Sequence, residues 1–282
     1  MFSVRGVLVF RILHVTTTGT SLVRNASSFC RSLPDLSEYC SLLDSWFKAT
    51  PDSSEDIEAA RNAIPGSRVF NVLLGVLASD PRRFSAELNA FFGYLNKLSS
   101  GVYRHSIVLF TTDTGVGWFC TRVLEEFLKT LKEVPDVYTT SGKHYIDSVE
   151  SIRVEMFGRD FSKGSLNLLV NVKKTVKKYW GQVDEVVFNL TGGFKPETGF
   201  LLLAAGLLGV SRVYYIHEYM REVVEIPVFP LTIGEPIKSV LEKSICGKLT
   251  PLDYKVLIEY KILRPGEKEP VWLRKIAEIL LT

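Results

Sequence analysis

Glutamine is nearly absent from this 282-residue chain, with Gln182 its one occurrence, while 34 Lys and Arg and 31 Asp and Glu are present. That bias replaces a thermolabile amide with groups that pair at high temperature, so a thermophilic source is expected. Charge of one sign is lacking too. A formal net charge of +3 is too small to lay a basic face along a nucleic-acid duplex, though it leaves room for local basic pockets. The four cysteines, Cys30, Cys40, Cys120 and Cys246, form no CxxC pair, which argues against a zinc site or a disulfide framework and reads as buried thiols. Four histidines, His14, His105, His144 and His217, are scattered without ligand spacing, so no metal is expected, and His14 and His105 read as core residues. Long apolar runs are missing as well. The longest, Phe200 to Val210, is about eleven residues against the roughly twenty that span a bilayer. The apolar opening is interrupted by Arg5 and Arg11, with no small-residue cleavage site after it. A cytoplasmic protein with no membrane-embedded segment is expected.

What is present is ordinary globular composition, 46% hydrophobic and 23% charged, enough for a large packed core. Val7 to Thr16 is a Val/Ile/Leu-rich run ending in a Thr/Gly/Ser cluster, as a buried parallel strand feeding a loop would be. Helices are expected from Ser21 to Arg31 and Leu36 to Lys48, and another starts at Thr50-Pro51. Val69 to Ser79 is ambiguous. One amphipathic helix is expected from Asp80-Pro81 to near Gly101, followed by a strand from His105 to Phe110, a polar loop Thr111–Gly117 and a helix from Trp118 to Lys132.

Further on, a strand over Val134 to Thr140 precedes a helix from Lys163 to Trp180, whose lysines read as a solvated face. Glu185 to Leu190 is a strand, Phe200 to Gly209 an apolar helix, and Arg212 to Ile216 and Glu222 to Phe229 complete the sheet. Alternating strands and helices predict an α/β fold, Rossmann-like, with a mainly parallel sheet flanked by helices. Ligands bind such folds where the carboxyl ends of strands meet loops. Residues 1–230 form this expected domain. Residues 231–282 are expected to form a small, mainly helical or winged-helix-like module or a dimerising extension, with Thr250 placed as an N-cap.

Two loops at that edge invite an anion. Thr16 to Asn25 puts hydroxyls and free N–H groups at a strand end and helix start, where the helix dipole favours negative charge. The alternative there is an ordinary cap made by Thr20 or Ser21. In Asn189-Leu-Thr191-Gly192-Gly193-Phe194-Lys195-Pro-Glu197 the glycines permit close approach to a ligand. Lys195 sits at a helix start, where a cation opposes the dipole and wants an anionic partner.

Thr17-Thr-Gly-Thr-Ser21-Leu, Ser85-Ala-Glu-Leu-Asn89, Thr112-Asp-Thr114 and Asn189-Leu-Thr-Gly-Gly-Phe-Lys195-Pro-Glu197, in this order, resemble the CARF-domain proteins of CRISPR systems, and within them the stand-alone ring nuclease 1 group. The resemblance covers about residues 8 to 230. It implies a homodimer that binds cyclic tetra-adenylate across its two-fold axis and cuts it without a metal or cofactor. A ribose 2′-hydroxyl attacks the adjacent phosphorus, giving linear di-adenylate with a 2′,3′-cyclic phosphate and switching off type III CRISPR signalling. Carried over, Ser21 and Lys195 are the catalytic residues. Ser21 would orient the scissile phosphate, and Lys195 would stabilise developing charge. Thr18, Gly19, Thr20 and Asn25, then Asp113 and Thr114, then Thr191, Gly192, Gly193 and Phe194, are the expected ligand-binding residues.

The competing reading is a sensor or transcriptional regulator that binds the ring without cutting it and acts through residues 231–282. No histidine follows His217, so that module lacks the Arg-to-His spacing of a HEPN ribonuclease. Asp253, Glu259 and Lys261 are too close in sequence for a PD-(D/E)xK nuclease. Lys248, Lys255, Lys261, Arg264, Lys268, Arg274 and Lys275 give the module a basic tilt, so duplex DNA is a weaker candidate partner. A dinucleotide-dependent enzyme is disfavoured because the first loop lacks GxGxxG.

Overall fold

The computed structural model describes residues 2–4, 7–193, 195–216, 222–266 and 271–281, with the side chains of 2–4, 7, 162, 195–197, 271 and 272 outside that description. Phe194, His217, Lys268 and the side chain of Lys195 therefore lie outside the described residues.

The chain runs β1 (Phe2–Val4), β2 (Val7–Thr18), α1 (Ser21–Phe29), α2 (Cys40–Phe47), α3 (Ser54–Asn62), α4 (Arg68–Ser79), α5 (Pro81–Phe84), α6 (Ala86–Leu95), β3 (Val102–Thr111), α7 (Gly115–Thr130) and β4 (Lys143–Arg153). It continues with α8 (Phe161–Tyr179), β5 (Glu185–Asn189), α9 (Lys195–Leu207), β6 (Arg212–Ile216), β7 (Val223–Ile226), α10 (Ile237–Ile245), α11 (Pro251–Glu259) and α12 (Val271–Leu281). The strands form one sheet in the order β4-β3-β2-β5-β6-β7, with β1 on β2. The β2 to β6 pairings are parallel, whereas β1 and β7 run antiparallel to their neighbours. This is the mixed α/β, Rossmann-like architecture that the strand-helix alternation predicts.

Helices cover both faces of the sheet, which is why its central strands read as continuous apolar runs. Successive residues point to opposite sides: Ile12, Ile107 and Leu109 pack with α1 to α7, while Leu13, Val15, Val108 and Phe110 pack with α8 and α9. The two faces together bury Trp46, Phe70, Phe92, Phe119 and Phe188, each worth about 1.5–3 kcal/mol or more of apolar transfer. A third, separate cluster of Val240, Leu241, Leu257, Leu263, Leu273 and Ala277 holds α10 to α12 together. The described residues of 231–282 contain the helices α10 to α12 and no strand. Thr250 caps α11 as expected, in a reciprocal capping box with Asp253.

Four expectations need correction, and one open segment is resolved. The strand expected over Val134 to Thr140 is loop, and β4 is Lys143–Arg153. This edge strand reads as polar because much of its surface faces solvent, whereas Pro135 breaks the segment chosen instead. The helix expected to start at Thr50-Pro51 begins at Ser54, where the Ser53 side chain accepts from the Asp56 N–H. The ambiguous 69–79 segment is a helix, α4. The single helix expected from Asp80 is broken at Ser85, an extended residue whose hydroxyl accepts from the Leu88 N–H and starts α6 afresh. Finally, Cys30 and Cys40 are joined in a disulfide and Cys246 is an exposed thiol, so only Cys120 is the buried thiol expected. The turns between α1 and α2 bring the first two Cα atoms to 5.5 Å, within disulfide reach.

His14 and His105 are core residues, and His144 joins them. The His14 Nδ1 faces the Tyr214 hydroxyl at 3.3 Å, its Nε2 faces the His105 Nδ1 at 2.9 Å, and the His105 Nε2 faces the His144 Nδ1 at 3.0 Å. The His144 Nε2 reaches the Ser141 carbonyl. Burial pushes the His14 pKa down to about 3 and that of His105 well below its ordinary value.

Candidate functional site

Three parallel strands end in loops that start helices at the same edge of the sheet: β2 into α1, β3 into α7 and β5 into α9. A cavity of about 610 Å³ opens among them, lined by residues of all three junctions. Gly19, Thr20 and Ser21 come from the first, Thr112 and Thr114 from the second, and Thr191, Gly192 and Gly193 from the third.

The first and third junctions touch. A Cβ added at Gly19 would lie 3.5 Å from the Gly193 nitrogen. Gly192 is buried and has no room for a side chain: a Cβ there would sit 2.5 Å from the Thr17 carbonyl oxygen and 2.6 Å from the Glu87 Oε1. Gly193 has φ +103°, a conformation that glycine adopts freely. The Thr17 hydroxyl donates to the Gly192 carbonyl at 2.5 Å, tying the two loops. Thr191 is held by its own N–H on the Asn189 Oδ1, and its hydroxyl accepts from the Ile216 N–H.

Glu87, in the first turn of α6, joins this pair from beneath. It is 3% exposed, accepts from the Gly19 N–H at Oε1 (2.8 Å), and accepts from the Ser21 and Ser85 hydroxyls at Oε2 (2.8 Å each). The buried Asn189 amide donates to the Glu87 carbonyl at 3.1 Å, so β5 also braces the turn. The break at Ser85 aims the first turn of α6 at Ser21: the Ala86 N–H donates to the Ser21 Oγ at 3.3 Å.

The Thr20 side chain makes no cap bond to α1, whose first turn carries no acidic residue. The N-terminus of α1 thus keeps its positive dipole end facing the cavity. The second junction is closed by side chains of its own and of α3. The Thr114 hydroxyl accepts from the Gly117 N–H, and the buried Asp56 accepts from the Val116 N–H at 3.0 Å. Asp113 is spent nearby: its carboxylate takes the Arg153 Nε at 3.0 Å and the Met156 N–H at 3.1 Å, and Arg159 donates to its carbonyl.

The expected site residues therefore divide. Gly19, Thr20, Ser21, Thr114, Thr191, Gly192 and Gly193 line one cavity. Thr18 is fully buried, bonding the Phe110 carbonyl and the Thr121 hydroxyl, and Asn25 donates to the carbonyls of Arg83 and Phe84. Neither these two nor Asp113 is among the lining residues. Lys195 begins α9 two residues after Gly193. The lining also includes Glu87, Asp56, Arg24, Trp46, Phe47 and Tyr215, none of which was expected at the site. A signal for Glu87 was present in the Ser85-Ala-Glu segment, but an acid in a first helical turn reads as ordinary dipole chemistry. Arg24 supplies a cation, and Phe47, 45% exposed, supplies an aromatic face.

The start of α1, the Arg24 cation and the Phe47 ring thus share one cavity, with the Glu87 carboxylate beneath them. Among the described residues no group of three His, Cys, Asp or Glu side chains could hold a metal ion. No helix of the described residues is long and apolar enough to cross a membrane. The model of a CRISPR-associated protein family, Cas_APE2256, matches residues 82–229, a stretch carrying Glu87, the second and third junctions and β3 to β7. That match spans more than half of the chain, and the protein belongs to this CRISPR-associated family.

Proposed function

We propose that the protein is a CARF-type ring nuclease, which binds cyclic tetra-adenylate at a homodimer interface and cleaves it to linear di-adenylate ending in a 2′,3′-cyclic phosphate. The observation that carries the reading is the contact between the Gly19–Ser21 and Gly192–Gly193 loops, far apart in sequence, at one cavity on the carboxyl edge of the sheet. Its volume of about 610 Å³ lies in the range that encloses one drug-sized ligand, about 300–1,000 Å³, so a ring of four nucleotides calls for a second copy of it. A symmetric dimer supplies that copy, with two of every side chain for two symmetric cuts. Phe47 and Tyr215 offer faces for adenine. Ser21 stands at the cavity wall, and Lys195, at the start of α9 two residues after Gly193, would supply the cation beside the phosphate. The nucleophile is the ring's own 2′-hydroxyl, so the protein has only to align it and to stabilise the developing charge, which these residues would do.

The test is incubation with radiolabelled cyclic tetra-adenylate in EDTA, comparing wild type with Ser21→Ala and Lys195→Ala. Wild type is expected to yield the linear product, and Lys195→Ala to lose about 100-fold or more of the rate, as removal of one transition-state donor does. Tight binding without turnover makes the protein a sensor. Absence of both binding and turnover defeats the reading.

A further inference from the structure

The Cys30–Cys40 disulfide lies between two helices that both line the cavity. Cys30 follows the last turn of α1, and Cys40 is the first residue of α2. From α1 come Ser21 and Arg24, and from α2 come Trp46 and Phe47. Arg24 and Trp46 each lie less than about two helical turns from the bonded cysteine of their own helix, so the bond acts on both walls at short range.

The corner itself is lightly held. With nine and eight residues, α1 and α2 are too short to keep their shape alone. The 3-10 turns between them, Cys30–Ser32 and Pro34–Tyr39, begin without a side-chain cap, as does α2. Between the two cysteines only Leu36 is buried. Away from the corner the helices are seated by other contacts. Asn25 donates to the Arg83 and Phe84 carbonyls, Trp46 packs on Phe119 at 4.9 Å, and its Nε1 donates to the Glu58 Oε2 at 3.3 Å. Opening the bond therefore widens the range of orientations that Arg24 and Phe47 sample and leaves the fold in place.

We propose that Cys30–Cys40 is a redox-sensitive tie: oxidised, it presets the α1–α2 wall for a nucleotide, and reduced, it weakens binding there. The proposal rests on the reading that a nucleotide ring binds in this cavity, and it adds a control on that site. Cys30 is buried and Cys40 partly exposed, so a dithiol attacks as thiolate at the Cys40 sulfur and expels the Cys30 thiolate. The second thiol of the reagent then displaces Cys40. Both cysteines leave as thiols, each with one proton from the reagent, which ends as a cyclic disulfide. Ligand affinity falls by the fraction of the reduced ensemble that keeps the binding geometry.

The experiment uses the full chain carrying Cys246→Ser, which removes the exposed thiol. Cyclic tetra-adenylate is titrated in the cold before turnover, once into oxidised protein and once in excess dithiothreitol. The oxidised form should bind about fivefold or more tighter. The further double variant Cys30→Ser, Cys40→Ser should bind like the reduced form in both buffers. Linkage supplies a second readout: saturating ligand should raise the ratio of reduced to oxidised dithiothreitol that opens half of the bonds by that same factor, read by thiol labelling. Circular dichroism should show the reduced chain still folded. Equal affinity of the two forms, or unfolding on reduction, overturns the proposal while the proposed function stands. Failure of both forms to bind overturns both.

Discussion

The junctions β2–α1 and β3–α7 are built from the same parts, a buried parallel strand, a Thr/Gly loop and a helix, yet they finish differently. At β3–α7 the Thr114 hydroxyl caps the helix, Asp56 takes a second N–H, and Asp113 is locked between Arg153 and the Met156 N–H. At β2–α1 the Thr20 side chain caps nothing, and Glu87 reaches in from another helix to hold Gly19 and Ser21 from below. One junction uses its polar groups for stability, and the other leaves its helix terminus facing a cavity. A strand, polar loop and helix is therefore not enough to mark a binding loop. The partners of the loop's own hydroxyls separate the two cases.

The contrast can be broken most forcefully at the glycines. At Gly115 a Cβ would lie 1.7 Å from the Asp56 carbonyl oxygen, so Gly115→Ala should cost about 3 kcal/mol or more, read in denaturant melts. Gly192→Ala should cost about 1–3 kcal/mol by similar crowding, and nucleotide binding should fall further than that loss of fold accounts for. Equal effects of the two on binding would erase the distinction between the junctions.

Acid probes the core under both. Burial holds His14 neutral down to about pH 3, whereas an unfolded histidine charges near its ordinary value of about 6.5. The unfolded chain binds the extra proton, so stability falls as pH drops below about 6.5, by about 2 kcal/mol for His14 between pH 7 and 5. Melts across that range check it, and His14→Gln should flatten the slope. The smallest expected effects sharpen the comparison most directly. Thr114→Ala should cost about 1 kcal/mol as a lost cap, and Thr20→Ala about 0.3 kcal/mol or less. A Thr20→Ala loss as large as that of Thr114→Ala would mean that both junctions are structural.

The fold was legible where burial is two-sided. β2, β3, β5 and β6 announce themselves as Val/Ile/Leu runs because helices cover both faces. β4 was illegible because an edge strand with Lys143, Asp147, Glu150 and Arg153 along it carries no such run. At the site, Gly192 and Gly193 were readable because close backbone approach leaves its mark in sequence, whereas the role given to Ser21 came from the family resemblance, its spacing fitting an ordinary helix cap equally well. The turning away of Thr18 and Asn25 was not, because it depends on strand alternation at Thr17 and Thr18 and on where Arg83 and Phe84 place their carbonyls. The Cys30–Cys40 bond was missed for a similar reason: tight turns set that approach, which a spacing of ten residues does not advertise.

The buried row of imidazoles has a direction. The Ser141 carbonyl can only accept, so His144 must carry its hydrogen on Nε2 and present a bare Nδ1 to its neighbour. His105 then donates from Nε2 and is bare at Nδ1, His14 follows suit, and Tyr214 gives its phenolic hydrogen to the last ring. A single peptide oxygen at the rim of the sheet thus dictates the tautomer of rings on three adjacent strands, and a proton arriving at any one of them would set donor against donor along the row.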